Sequence, residues 1–446
     1  MLNIFLNDSS SIGTLRRGAG VAFLAQVAAV GLGYFGHVLL ARWMGVAEYG
    51  TYVYTLGWAV PLSAIGGLGV HMIALRFVPE YHASGKTGLL RGAFRIGSTV
   101  ALFVGAAVSL LSLGFVLAIQ SKIPESIRPA LLVGLCTVPL LSLTYFNANY
   151  LKALKRVGLA SLSDVLRPPL LVAGAGIWLM TEGGVSSKDV LTVLGGALVL
   201  VAIVQHLLIR KSVPQGTWTS PSETDIPAWK AAIGAMLLIE VFQAIMIKAD
   251  VLLIGAMMDV EAVAVFGVAA RVSGLVGFVV AAVGTIAGPM FTELRSQGET
   301  AKLRTLVRSA GQWMIWPAIA FAIGLAVFAP YVLGLFGPEF AQGSSVLWIL
   351  LAAQIAHAAA GPVFVLITFT GFHEHSARIY GYMLALNIAL NIVGIDWLGL
   401  HGAALAAFVT AACWGVLLHR SVSSNLGLVA SPLLLMKRGP ADVEDQ

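Results

Sequence analysis

The sequence predicts an all-α polytopic membrane protein, with about 12 transmembrane helices arranged as two six-helix halves in a parallel repeat. Three observations carry this prediction. The composition is too apolar for water, the apolar residues gather in membrane-length runs, and the two halves of the chain align with each other.

Composition comes first. Of 446 residues, 58% are hydrophobic and only 11% are charged, whereas soluble domains carry about 25% charged residues. No single globular core hides so much apolar surface, so lipid has to be the solvent for much of the chain. The net charge of +6 sits in loops and gives no sign of a nucleic-acid partner. Cys136 and Cys413 both lie in apolar runs and read as small core hydrophobes. The polar N-terminal stretch "IFLNDSSSIGTLRR" leads directly into a full-length apolar run, so no cleaved signal peptide is expected.

A spanning helix needs about 20 mostly apolar residues. Twelve such runs are readable: 18–42, 50–76, 93–119, 129–152, 166–181, 190–210, 231–257, 262–289, 309–336, 344–370, 377–395 and 399–419. The fifth is short and opens at Pro168 and Pro169. Pro61, Pro139, Pro317 and Pro362 lie inside other runs, where they free backbone carbonyls and bend helices. Of the 27 Lys and Arg residues, 21 fall at the termini and in the loops after even-numbered runs, five fall on the opposite side if Lys248 is counted with the outer end of the seventh run, and Arg271 lies inside a run. The positive-inside rule then places both termini in the cytoplasm. The expected organisation is an N-terminal bundle over 1–211, a cytoplasmic linker over 212–229, a C-terminal bundle over 230–420 and a cytoplasmic tail over 421–446.

Sliding the chain against itself at one fixed offset, without gaps, aligns "FVPEYHASGKTGLLRGAFR" with "MFTELRSQGETAKLRTLVR". Glu80 meets Glu293, Gly85 meets Gly298, Thr87 meets Thr300, Arg91 meets Arg304 and Arg95 meets Arg308. The same offset pairs Glu48 with Glu261. Apolar matches arise easily by chance in a membrane protein, but polar and glycine matches gathered at one offset do not. Like-oriented halves related by an axis along the membrane normal are the pattern of parallel-repeat transporters.

The sequence offers little to an enzyme. It holds no HExxH metal motif, no nameable Ser-His-Asp arrangement and no P-loop, so no catalytic residue, cofactor or metal is expected. "HEH" at 373–375, in a short loop, is a weak metal signal. Without a nucleotide site, uphill transport would draw on an ion, the membrane potential or the substrate's own metabolism. A non-transporting membrane scaffold is the plainer alternative.

Several stretches resemble the polysaccharide-export branch of the multidrug/oligosaccharidyl-lipid/polysaccharide (MOP) exporter superfamily. They are "LLARWMGVAEYGTYVYT", "GGLGVHMIALRFVPEYHASGK", "KADVLLIGAMMDVEAVAVFGVAARV" and "LALNIALNIVGIDWLGLHGAALAAFVTAACW". The resemblance implies a MATE-like V-shaped pair of bundles around a central cavity in the bacterial inner (plasma) membrane. It implies a flippase moving an undecaprenyl-diphosphate-linked oligosaccharide to the outer leaflet for O-antigen, capsule or exopolysaccharide assembly. The partners implied are the polyprenyl-diphosphate-linked glycan, membrane lipids, a proton or sodium ion, and the polymerase or ligase of the glycan pathway. Two rivals share the architecture. Some members of the drug-extruding MATE branch use an acidic residue in the first helix, and this chain has none between Asp8 and Glu48. Lipid II flippases commonly add two helices after the twelfth, where this chain has the polar tail "KRGPADVEDQ".

A pyrophosphate at mid-membrane calls for cations facing an aqueous cavity, and ionisable residues inside spans are functional candidates by default. Arg271 and Lys248 each lie about 14 Å from the outer ends of their helices, at about 1.5 Å per residue. Arg42, His71 and His37 complete the pyrophosphate candidates. Lys248 and Asp250 point some 160° apart at about 100° per residue, so Asp250 is expected to pair with a neighbouring helix, Arg271 being one partner to test. Asp250 and Glu240 are also the candidates for coupling to an ion. Tyr145, Asn147, Asn149 and Gln354 suit sugar hydroxyls. Asn387 and Asn391, one helical turn apart, read as interhelical glue. Arg76, Arg95 and Arg308 border cytoplasmic loops and mark an entrance for anionic headgroups.

Overall fold

The computed structural model describes residues 11–370 and 373–426, with side chains over 27–420 apart from 231–232, 235–236, 289, 364 and 367–377. The polar N-terminus, the tail "KRGPADVEDQ" and the side chains of His-Glu-His 373–375 lie outside the described residues. Every regular element among the described residues is helical. In chain order the helices are α1 (Ser11–Gly67), α2 (Val70–Ala83), α3 (Thr87–Ala118), α4 (Arg128–Cys136), α5 (Val138–Ala153), α6 (Val157–Ala160), α7 (Leu162–Glu182) and α8 (Ser187–Ser212). They continue with α9 (Ile226–Met257), α10 (Val260–Ser296), α11 (Thr300–Val327), α12 (Ala329–Gly334), α13 (Ser344–Thr370), α14 (His373–Leu398) and α15 (Leu400–Leu426).

Helices occupy all twelve apolar runs, but the runs and the helices are not one to one. Among the described residues ten helical stretches are long and apolar enough to cross a membrane, which makes this a multi-pass membrane protein. The first run and most of the second fall in α1, which is continuous except at Gly45, where φ 76° and ψ 172° break the helix; the second run then crosses the end of α1 into α2. That conformation belongs to a residue without a Cβ. The fourth run is two helices, since Thr137 closes α4 and Pro139 sits in the first turn of α5, where its missing N–H has no helical partner to lose. The fifth run begins before its prolines: α7 starts at Leu162 and carries Pro168 and Pro169 inside it.

The internal repeat appears in the backbone itself. Gly85 and Gly298 are both left-handed, with φ 66° and 73°. Lys86 and Glu299, which follow them, have φ/ψ of −76°/72° and −78°/63°. The hydrogen bonds match as well: the Lys86 amide donates to the Tyr81 carbonyl at 2.9 Å, and the Glu299 amide to the Leu294 carbonyl at 3.0 Å. Thr87 to Gly85 and Thr300 to Gly298 are both 2.9 Å. One departure stands out. After Gly67 the chain breaks at two left-handed residues, Leu68 (φ 45°) and Gly69 (φ 68°), whereas at the equivalent point of the second half α10 runs on without interruption.

The contacts divide the chain into two compact units, Met1–Lys248 and Ala249–Gln446, with the boundary inside α9. In the first unit α5 packs against α1, α2, α3 and α8. Its Phe146, Tyr150 and Leu151 are buried in a cluster with Phe94, Leu90 and Tyr81. Trp229, in the first turn of α9, joins this cluster and donates from its indole N–H to the Tyr81 hydroxyl at 3.0 Å. That anchor fixes where α9 starts, and therefore which of its side chains face α2 and α5. In the second unit α13 packs against α10, α11 and α15. There α14 and α15 touch backbone to backbone: a Cβ on Gly402 would collide with the Gly394 carbonyl oxygen. Small residues permit such close approach between membrane helices.

Candidate functional site

Two polar sites are built into these apolar units, one in each. The first is a cavity of about 460 Å³ within the first unit, walled by α1, α5, α7, α8 and α9. From α9 come Glu240, Gln243, Ala244 and Ile247, the i, i+3, i+4, i+7 stripe of one helix face. From α5 come Thr144, Tyr145 and Lys152, and from α7 Ser163, Asp164 and Arg167. The remaining walls include Val60, Leu141, Leu198 and Val201. The cavity thus carries both signs of charge, hydroxyl and amide groups, and apolar surface.

Glu240 is only 14% exposed, and its Oε2 lies 3.3 Å from Nε2 of His71, which is 3% exposed. The two atoms are close but not aligned as a hydrogen bond, and each is otherwise without a hydrogen-bond partner. The His71 ring meets Tyr145 edge-on, with centroids 5.0 Å apart. Asp164 and Arg167 form an i,i+3 pair on α7 at 3.7 Å. Both are well exposed, so the pair adds little to stability.

The second site is a carboxylate gripped by two carboxamides. Asp250 Oδ1 accepts from Asn391 Nδ2 at 2.7 Å and from Asn387 Nδ2 at 3.2 Å. Asn391 Nδ2 also donates to the Asn387 carbonyl at 2.9 Å. Asn387 and Asn391 are 3% and 0% exposed, and the Oδ1 of each is buried without a hydrogen-bond partner. Unmatched buried oxygens beside a carboxylate make a place where a proton or small cation would be welcome. Asp250 therefore does pair with a neighbouring helix, but that helix is α14 and not Arg271 on α10. The reason lies in the helix faces: Asn387 and Asn391 occupy successive turns of α14, and both amides reach the same carboxylate oxygen.

The other residues singled out from sequence scatter. Arg271 on α10 is partly buried, and its Nε is enclosed without a hydrogen-bond partner. Lys248 is partly buried at the end of the first unit. Arg42 is exposed on α1. His37 Nδ1 lies 3.2 Å from the Tyr49 hydroxyl, beside Tyr52. Asn147 and Asn149 are buried within the bundle and do not line the cavity; Asn149 donates back to the Tyr145 carbonyl at 2.9 Å. Gln354 is partly buried on α13, where its Oε1 occupies the space left by Gly277. Arg76 and Arg95 are exposed, Arg76 lying over the Phe77 ring at 5.3 Å, and Arg308 is partly buried. Lys152, Asp164 and Arg167 do not stand out in the sequence. The two cations read there as topology charges, and nothing local shows that α5 and α7 bring them to Glu240.

No protein-family model and no curated protein matches the sequence. Solved structures do match the fold. A mutant of the MATE transporter VcmN from Vibrio cholerae superposes with a TM-score of 0.66 at 16% identity, covering 92% of this chain and 96% of that one. An inward-facing multidrug resistance MATE family transporter of the MOP superfamily gives 0.68 at 16%, covering 91% and 95%. A MOP superfamily transporter from Pyrococcus furiosus, described as having a binding pocket of reversed polarity, gives 0.66 at 16%, covering 92% and 96%. This chain has the fold of MATE transporters.

Proposed function

We propose that this protein is an inner-membrane transporter that moves a polyprenyl-diphosphate-linked glycan from the cytoplasmic to the outer leaflet by alternating access of its two halves. The fold and the parallel repeat support transport. The sequence resemblance supplies the glycan. The observation that carries the reading is the first-unit cavity, where Lys152 and Arg167 offer cations for phosphate. Beside them, Tyr145, Gln243, Ser63 and Ser163 offer hydrogen bonds to sugars, and Val60, Leu141 and Leu198 offer a wall to a lipid chain. Arginine grips phosphate oxygens bidentately and lysine adds a point charge. The Asp250–Asn387–Asn391 cluster is the site proposed for a coupling proton or sodium ion.

Deleting the gene and analysing the polyprenyl-linked glycans tests this reading. Accumulation of the lipid-linked intermediate supports it, as does failure of Lys152→Ala with Arg167→Ala to restore export at normal protein levels. No accumulation, with a gain in drug sensitivity, overturns it in favour of a MATE-type cation-coupled multidrug exporter. Glu240 and Asp164 favour that second reading, because carboxylates in the same cavity suit an organic cation.

A further inference from the structure

We propose that His71 and Glu240 form a proton-binding site that holds α2 against α9 and keeps the chain broken at Leu68–Gly69. The site rests on the transport reading and deepens it, as a device that alternates the first unit between two states.

Four observations meet at one place. Leu68 is a non-glycine residue at φ 45°, adjoining Gly69 at φ 68°. A side chain in the left-handed region is strained, and such strain persists only where the surroundings enforce it. The enforcing contact is α9: a Cβ on Gly69 would sit 3.3 Å from Ile233 Cγ2 and 3.5 Å from Leu237 Cβ. One turn further along the same helix, Glu240 Oε2 faces His71 Nε2 at 3.3 Å, the second residue of α2 after the break. Both atoms are buried and neither has a hydrogen-bond partner, so the only polar group each one faces at this contact is the other.

The repeat shows that this device is particular to the first half. The residues equivalent to Leu68, Gly69 and His71 are Ala281, Ala282 and Gly284, inside unbroken α10, and the equivalent of Glu240 is Val27. The break, the histidine and the acid all lack a counterpart in the other half. A requirement of the shared fold would have left one.

The other titratable groups facing Glu240 are Tyr145 and Lys152 on α5, and Asp164 and Arg167 on α7. The lining residues of α1 and α8 carry no titratable side chain. With Glu240 ionised, its carboxylate attracts the His71 ring and the N-terminus of α2. A proton on Glu240 removes its charge, and with it the attraction for the N-terminus of α2. The break then has less to hold it, Leu68 relaxes, and the cavity wall that α5 and α9 form opens on the side where α9 packs on α2. The cavity makes the site accessible to the proton.

The test uses the full chain in membranes, with Cys136 and Cys413 replaced by alanine and a reporter thiol introduced as Ala148→Cys in the cavity wall. Maleimide labelling is measured against pH and normalised to Thr219→Cys, an exposed position on the connector before α9. Labelling of the cavity thiol is expected to rise about tenfold on acidification, since one proton redistributes a two-state equilibrium by such factors. Glu240→Gln should hold it at the acid level at every pH, and Gly69→Ala, which crowds Ile233, should do so independently of the acid. A wild-type pH profile in Glu240→Gln, or no pH response at all, overturns the proton site. An unchanged profile in Gly69→Ala overturns its link to the break. No substrate enters the assay, so its failure is separate from failure of the glycan reading.

Discussion

Replacing Asn391 with leucine removes one donor from a partly buried carboxylate while nearly preserving shape. Asn391 Nδ2 is 2.7 Å from Asp250 Oδ1, the shorter of the two bonds the carboxylate accepts. A hydrogen bond to a charged group contributes about 1.5–3 kcal/mol in soluble proteins. Between membrane helices measured couplings average about 0.6 and reach about 1.7 kcal/mol. The ranges overlap near the upper membrane value, so Asn391→Leu should cost about 1.5–1.7 kcal/mol. In an Asp250→Asn background the same substitution loses only a neutral bond, about 1 kcal/mol. The double-mutant cycle should therefore return a coupling of about 0.5–0.7 kcal/mol, read from reversible detergent unfolding of the full chain in mixed micelles. Additivity to better than about 0.3 kcal/mol would refute the reasoning. It would show that the geometry at Asp250 carries no energetic link between α9 and α14.

The remaining predictions concern other elements. Gly402→Val places a side chain into the Gly394 carbonyl and should separate α14 from α15, seen as loss of folded protein or a large drop in thermal stability. Gly85→Ala and Gly298→Ala, at matching left-handed turns with open space around each, should each cost about 1–2 kcal/mol from backbone strain alone. Equal losses in the two halves would be the energetic signature of the repeat. Lys302→Ala should leave unfolding unchanged, because its 3.0 Å pair with Glu299 is exposed and such pairs contribute about 0–1 kcal/mol.

The fold class was legible because its signals are local and additive. A membrane-length apolar run demands lipid wherever it occurs, and the repeat is written in residues such as Gly85 and Gly298 whose backbone angles are their function. Pro139, one of the prolines inside an apolar run, also sits at a real helix break. The site was only partly legible. Asp250, Glu240, His71, Asn387 and Asn391 stood out as polar groups among apolar ones, and that contrast is visible in one dimension. Their partners were not. Arg271 was the chemically reasonable mate for Asp250, but the choice fell to the amides of α14.

By itself, then, the sequence determined that the chain spans a membrane, that it is internally duplicated, and which few polar residues have no cheap place to hide. Tertiary structure alone decided that Glu240 meets His71, that Asn387 and Asn391 close on Asp250, and that Lys152 and Arg167 reach the cavity of Glu240. The physical reason is that helix periodicity fixes the face a residue presents. Which helix lies opposite depends on how the glycines, prolines and breaks of several helices pack together, and no window of the sequence contains that.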